Sequence, residues 1–330
     1  MGELVIDLIP ARGADGQHVY AANPGGAPGN VAAGLARLGL HSLMLSKVGP
    51  GAFGDLLLRT LAEAGVDTSG VARATTEPTA LAMVTLDAQG EREFMLYREG
   101  CADANLAPSE LPREMLRSCR LLHVGSLSLA TPVSAAAQRT AIASLREHGG
   151  LISADVNLRP AIWRDLEAMR ATGIEAARNA DILKVSTEEL AILTGLDDVR
   201  AGAAALWHPS LQVLAVTRGA AGAVLFTRDH RVEVPGHAIE VIDTVGCGDA
   251  FMAALLAELL RGGMPRSERH LMEIGRFACA AGGVMAGRSG AMAAMPLRDD
   301  IERLLRGSGA VRPGGSDRPS RDRTGMPSAG

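Results

Sequence analysis

Hydrophobic positions along the chain fall into two regimes. Short apolar runs at Leu4–Asp7, Ser42–Lys47, Arg120–Val124, Leu151–Ala154, Ile182–Lys184 and Val213–Thr217 predict strands. Between them, apolar residues recur at helical spacing over Val31–Leu38, Phe53–Ala64, Ser134–Glu147 and Leu166–Arg178. Strand–helix alternation of this kind implies an α/β fold, a mainly parallel sheet with helices on both faces. Two stretches break the rhythm. Pro10–Asn23, and Thr79–Val84 with Glu93–Tyr97, alternate apolar and polar residues with no helix between them. They predict a small antiparallel β-sheet lid over the core, from about 8–24 and 76–100. Val224–Ile242 reads as further β structure and leads into the longest apolar helical pattern, Asp249–Leu260. A last long helix, Leu271–Met285, follows Pro265. From 307 to 330 the chain is rich in Gly, Pro and Arg and cannot bury enough surface to offset its ordering entropy. The expectation is one domain over 1–306 and a disordered tail.

Composition narrows the function. In 330 residues, 47% are hydrophobic, 21% are charged and the net charge is −4, which provides for a core and excludes a disordered chain. It also excludes a strongly basic nucleic-acid binder, and with 3% aromatic residues a base-stacking platform is not expected. The two lysines, Lys47 and Lys184, both lie outside a GxxxxGK[ST] context, so a Walker-type phosphate loop is absent. The four cysteines are widely spaced without CxxC, and no HExxH occurs, so neither a zinc site nor a disulfide framework is expected. The chain has no apolar run of the roughly 18 residues that span a bilayer, and its start lacks a signal-peptide core. No membrane association and a cytoplasmic location are therefore expected.

The strongest chemical signal is Asp243-Thr-Val-Gly-Cys-Gly-Asp-Ala-Phe251, between a predicted strand and a helix. Its glycines permit a tight turn that would point the N–H groups of Gly246, Cys247 and Gly248 outward. The helix dipole adds positive potential there, so the turn suits an anion. Asp249, in the first helical turn, is either a helix cap or a base that takes a proton from an attacking hydroxyl; the residues alone leave both open. A second cluster, Gly25-Gly-Ala-Pro-Gly-Asn30, precedes the first helix and allows close backbone approach to a ligand. An ordinary turn with Asn30 as cap is the alternative. Asp7 sits at the carboxyl end of a strand, the edge where open α/β sheets bind ligands.

Together, GGAPGNVAAGLARLG near the start and DTVGCGDAF near the end resemble the paired signatures of the ribokinase-like (PfkB) sugar kinases. The segments SKVGPGAFGDLL, GEREFMLYREGCAD, ISADVNLRPAIW and ADILKVSTEELAILTG are similar to fructokinase-type members. The resemblance covers Gly2 to about Pro296. It implies a Rossmann-like core with a β lid and ATP-dependent phosphorylation of a primary sugar hydroxyl, with Mg²⁺. It further implies Asp249 as catalytic base and Gly246, Cys247 and Gly248 as anion hole. Asp7, Gly26, Asn30 and Arg98 match sugar-binding positions. Lys184, Thr217, Gly219, Gly222 and Cys279, with Gly246 and Gly248, match the ATP side. Glu189 matches the acid that organises hydrated Mg²⁺, and Asn157 and Arg159 lie near the phosphate path. Asp243 with the carbonyls of Val245 and Gly290 matches the K⁺ site found in many members.

The departures from the family pattern carry their own expectations. Ser186 replaces a frequent Asn, Cys279 a frequent Asn on the adenine side, and Ala294 a frequent Ser near the K⁺ position. Cys247 replaces a common Ala; it is either a small space-filler or a thiol whose pKa the helix N-terminus lowers. Relatives carry several strand residues before the Gly-Glu pair, so the chain enters a central strand part-way and neighbouring sheet edges are expected to lack partners. Ala27, where ribokinases have Lys, and the paucity of aromatic residues favour fructose over ribose or nucleosides. 2-Keto-3-deoxygluconate, aminoimidazole riboside and ribose remain alternatives, as does a non-catalytic sugar- or nucleotide-binding protein of this fold. A dehydrogenase is excluded by the absence of GxGxxG after the first strand. The lid strands of relatives often pair across a homodimer, and Val19–Ala22 with Ala80–Val84 offers such a face; closure of a monomer is equally allowed.

Overall fold

The computed structural model describes residues 1–12, 16–86, 92–160, 163 and 165–308. Strands β1 (Val5–Arg12) and β2 (His18–Gly25) form an antiparallel hairpin that runs into helix α1 (Ala27–Arg37). A short strand β3 (Ser46–Val48), helix α2 (Ala52–Glu63) and strand β4 (Val71–Arg73) follow. Strands β5 (Ala80–Leu86) and β6 (Arg92–Tyr97) then return to β1 and complete a four-stranded lid sheet in the order β2-β1-β5-β6. The remainder alternates: α3 (Arg113–Ser118), β7 (Leu121–Gly125), α4 (Pro132–Arg146), β8 (Leu151–Asp155), α5 (Leu166–Arg178) and β9 (Ile182–Ser186). After α6 (Thr187–Thr194) and α7 (Val199–Leu206) come β10 (Val213–Thr217), β11 (Ala223–Phe226) and β12 (Arg231–Val234). Helices α8 (Cys247–Gly262), α9 (Glu268–Ala286) and α10 (Arg298–Ser308) close the described chain.

The core sheet has six strands in the order β12-β11-β10-β9-β8-β7, parallel from β7 to β10 and antiparallel from β10 to β12. Burial on both faces explains why its strands read as continuous apolar runs: Ile182, Leu183, Val185, Leu214 and Val216 are fully enclosed. One layer of core lies under α4, α5 and α6, the other under α8 and α9. The apolar run of α8 extends nearly all round because the helix lies between the sheet, α9 and α1.

Several expectations change. Leu4–Asp7 and Ser42–Lys47 do not join the core sheet. The first strand begins at Val5 and continues to Arg12 inside the lid, where β2 and β5 supply its partners, so Asp7 lies within a strand rather than at its end. Only Ser46–Val48 of the second forms a strand, paired in parallel with β4. Helix α1 begins at Ala27 instead of Val31, since Pro28 in the first turn needs no hydrogen-bond acceptor for its nitrogen. Beyond Val234 the predicted β run is irregular backbone up to α8. At the edge of β7 the Met1 ammonium group donates to the His123 carbonyl at 2.8 Å, and the Gly2 amide donates to Leu45 at 3.1 Å. These two residues thus bridge β7 to the segment before β3, where unpartnered edges were expected. The predicted tail lies outside the described residues from 309 onward; Gly307 and Ser308 finish α10. Among the described residues, no helix is long and apolar enough to cross a membrane.

One contact sets how closely α1 approaches α8. A Cβ added at Gly34 would sit 2.6 Å from the Cβ of Ala253, closer than two carbons pack. Gly34→Ala must therefore move one helix, at an expected cost of about 1–3 kcal/mol in urea unfolding. An unchanged midpoint would show that the interface yields freely.

Candidate active site

The lid hairpin, α1 and the N-terminus of α8 meet above the carboxyl ends of β8 and β9. Gly246 begins α8 in the left-handed region with φ 77°, as the glycine pair predicts. Asp249 does not cap the helix; the cap carries no side-chain hydrogen bond. Its carboxylate instead accepts a 2.7 Å hydrogen bond from Asn30 Nδ2 of α1. Asn30 likewise sits inside its helix rather than at the cap. Both residues are buried, and one turn further along each helix stand Gly34 and Ala253. Burial pushes the Asp249 carboxyl up to about 6, while the Asn30 hydrogen bond and the charges of Lys184 and Arg159 work the other way.

Lys184 Nζ donates to both oxygens of Asp155 at 2.9 and 2.8 Å in a pair that is nearly wholly buried. Burial alone would lower the lysine pKa, but Asp155 and Glu189 outweigh it and the net shift is upward. The ammonium also adjoins the glycine turn: a Cβ on Gly248 would lie 3.2 Å from Nζ. A fixed positive charge and a helix N-terminus therefore converge on one spot. The three outward N–H donors expected of the turn are reduced, because Cys247 N–H donates within the turn to Thr244 O at 3.3 Å. Of the two readings of Cys247, the activated thiol is the one set aside. Burial first, then the carboxylates of Asp243 and Asp249, push it up to about 11, so it is a small side chain filling space.

On the lid side, Asp7 pairs with Asn23 across β1–β2 and its carboxylate lies over Gly25, where a Cβ would strike its Oδ2 at 2.5 Å. Burial raises the Asp7 carboxyl to about 6. Gly26 has φ 108°, and a Cβ there would lie 2.5 Å from the Glu3 carbonyl, so only glycine lets α1 start at this place. Arg98, just after β6, is buried; its Nε donates to Asp103 at 2.5 Å and Nη1 to the Leu127 carbonyl at 3.3 Å.

Glu189 is committed to local structure as well. Its Oε2 accepts from Ser186 N–H at 2.8 Å in a capping box that starts α6, and its Oε1 accepts from Leu158 N–H at 2.7 Å. Each oxygen keeps a free lone pair, so Glu189 can hold a cation-bound water but is not poised as a bare ligand. Thr217 ends β10 and Gly219 lies exposed on the following loop. Gly222 serves packing, since a Cβ there would lie 2.1 Å from the Val234 carbonyl. Cys279 belongs to the core between α9 and the sheet, and burial pushes its thiol up to about 12. Asp243 Oδ1 accepts from Val245 N–H at 3.1 Å, and Gly290 has φ 102°.

The sequence reading missed Asp155, Asp103 and Glu3. Asp155 ends a parallel strand, so the rule that singled out Asp7 would have found it. Glu3 in the Gly-Glu pair and Asp103 at the end of GEREFMLYREGCAD lie in segments that carry the resemblance, but no role was attached to either.

A buried carboxylate of raised basicity, one turn into a helix whose N-terminus and a lysine attract anions, suits transfer of an anionic group onto a hydroxyl. Comparison with known proteins agrees with that class. Residues 1–298 match the pfkB family carbohydrate kinase model, and the chain belongs to this family of sugar kinases. It is 38% identical over 309 residues to Fructokinase-1 of Oryza sativa subsp. japonica, covering 92% of this chain and 96% of the relative. The fructokinase of Xylella fastidiosa with bound ATP superposes with a TM-score of 0.85 at 31% identity, covering 93% of this chain and 97% of that one. The fructokinase of Vibrio cholerae O395 in its fructose, ADP and calcium ion bound form superposes with a TM-score of 0.80 at 33% identity, covering 92% and 97%. The sequence resemblance, the fold class and the sugar-kinase assignment are thus borne out.

Removing one partner of the Lys184–Asp155 pair leaves the other charge buried. Lys184→Met is expected to cost about 3–5 kcal/mol in urea unfolding, whereas the double variant Lys184→Met/Asp155→Leu should recover most of it. Equal losses in both proteins would contradict the pairing.

Proposed function

We propose that the protein transfers the γ-phosphoryl group of ATP to a primary hydroxyl of a small sugar, D-fructose foremost. The observation that carries this reading is the buried Asn30–Asp249 hydrogen bond beside the Lys184–Gly248 contact, which supports a base next to an anion site. The fructokinases it resembles, one solved with ATP and one with fructose and ADP, supply the substrates.

In this mechanism Asp7, Gly26, Asn30 and Arg98 hold the sugar from the lid side. Asn30 occupies one oxygen of Asp249 and leaves the other to take the hydroxyl proton. The N–H groups of Gly246 and Gly248, the α8 dipole and Lys184 favour the charge on the transferring group, since phosphoryl transfer depends chiefly on positioning and electrostatics. Thr217 and Gly219 line the nucleotide side. Mg²⁺, when bound, neutralises phosphate charge, and Glu189 would hold it through water with its free lone pairs. The Asp243, Val245 and Gly290 region would take K⁺. The exposed lid residues Val19, Tyr20, Met95 and Tyr97 support a homodimer formed through the lid, in a cytoplasmic enzyme.

Release of ADP with Mg·ATP and a panel of sugars tests the assignment. Fructose should give the highest kcat/KM, and Asp249→Asn should lower kcat by about 10²–10⁴-fold. Turnover of no sugar, or a wild-type rate in the variant, would refute the kinase reading.

Acid should inactivate the enzyme in a defined range. Asp249 and Asp7 act ionised and both sit near 6, so kcat/KM for the sugar should fall as pH drops through about 6. Asn30→Ala removes a hydrogen bond to the ionised form and should move the midpoint upward. A profile flat from pH 5 to 8 would contradict this environment.

A further inference from the structure

Glu3 lies under the start of α1, 6% exposed, and takes no part in the mechanism above. Its Oε2 is buried without a hydrogen-bond partner, an arrangement costly enough to need a reason. The same holds for Arg98 Nη2 and Asp103 Oδ1 beside it and for Asn30 Oδ1. Glu3 lines a small cavity with Ala27, Pro28, Ser126, Leu127 and Asn157, between the start of α1 and the carboxyl ends of β7 and β8. Arg98 reaches the same wall through its bond to the Leu127 carbonyl. Glu3 interacts electrostatically with Arg98, Asp103 and Arg159, and Arg159 in turn with Asp7 and Asp249. Arg159 thus lies within electrostatic reach of the carboxylates of Glu3, Asp7 and Asp249.

We infer that Glu3 is a specificity-determining residue: its free carboxylate oxygen accepts a hydrogen bond from a sugar hydroxyl remote from the one that Asp249 deprotonates. This rests on the proposed sugar-kinase reading. An unpartnered acceptor on Glu3, with an unpartnered donor on Arg98 behind the Leu127 wall, suits a polyhydroxylated substrate, which offers both functions at neighbouring carbons. Burial pushes the Glu3 carboxyl up to about 7, so its ionised form is held at a cost to the folded protein. A group retained only for packing would gain from being uncharged. A site built to bind a hydroxyl rejects an analogue that lacks it, because its own polar atoms are then left unpaired.

The test is steady-state kinetics of the wild type and Glu3→Gln at pH 8, with the sugar that the wild type turns over fastest and a series of its monodeoxy analogues. Glu3→Gln should raise KM for the parent sugar by about 10–100-fold, leave KM for ATP within twofold, and melt no lower than the wild type. For one deoxy analogue the two proteins should differ by less than threefold, since the contact is missing from both. A uniform loss across the parent and every analogue would assign Glu3 a structural role and overturn the inference, as would wild-type kinetics throughout. Should Glu3→Gln not fold, Glu3→Asp, which keeps the charge but withdraws it by one methylene, must reproduce the same selective pattern or the inference fails. A wild type that prefers another sugar refutes fructose yet leaves this test intact, whereas a wild type inactive on all sugars refutes both.

Discussion

Asn30 can pass a 2.7 Å hydrogen bond to Asp249 only because α1 lies against α8 at the distance that Gly34 and Ala253 allow. The two contacts are one helical turn apart on each helix, so they act as a single unit: the apolar contact sets the separation and the polar one uses it. Much of the architecture serves this approach. The core sheet and α9 hold α8 from one side. The lid hairpin β1–β2 delivers the chain to α1 through Gly25 and Gly26, whose missing side chains make room for Asp7 and for the Glu3 backbone. A carboxylate from one end of the chain and an amide from the other thereby meet although they stand 219 positions apart.

That meeting place is electrostatically expensive. Glu3, Asp7 and Asp249 are withdrawn from water and held at raised pKa values. The buried cations among them, Lys184 and Arg98, are already shared with Asp155 and Asp103. Desolvation outweighs local attraction at each of the three, which a fold selected for stability alone would avoid. The excess of acceptors over donors fits a pocket meant to be completed by a hydroxyl-rich guest. The Lys184 ammonium beside Gly248 gives the neighbouring region the opposite preference, so a neutral polyol and an anion are directed to adjacent places.

Much of this was legible in the chain. Leu166–Arg178 and Val213–Thr217 were placed to the residue, because strong periodicity and a fully buried parallel strand are local signals. The lid was recognisable as strands lacking intervening helices. Where the reading failed, the deciding partner was distant. Leu4–Asp7 looked like a core strand, but β5, some 75 residues on, draws it into the lid. Cys247 could be a space-filler or an activated thiol until the burial and the two neighbouring carboxylates were known. Glu189 resembles the acid that organises hydrated Mg²⁺, and only the fold shows that it also starts α6 and ties down Leu158.

The amino-acid sequence by itself determined the α/β class, the glycine turns before α1 and α8, and the presence of an acid in the first turn of α8. Each depends on residues close together in the chain, where period and backbone freedom act directly. Whether that acid would cap its helix or face a partner, which charge would neutralise Asp155, and which polar atoms would stay unpaired were decided by the tertiary structure alone. Desolvation and hydrogen bonding depend on what fills the surrounding few ångströms. At this site those neighbours come from β1, α1, β8, β9 and α8, elements that only folding brings together.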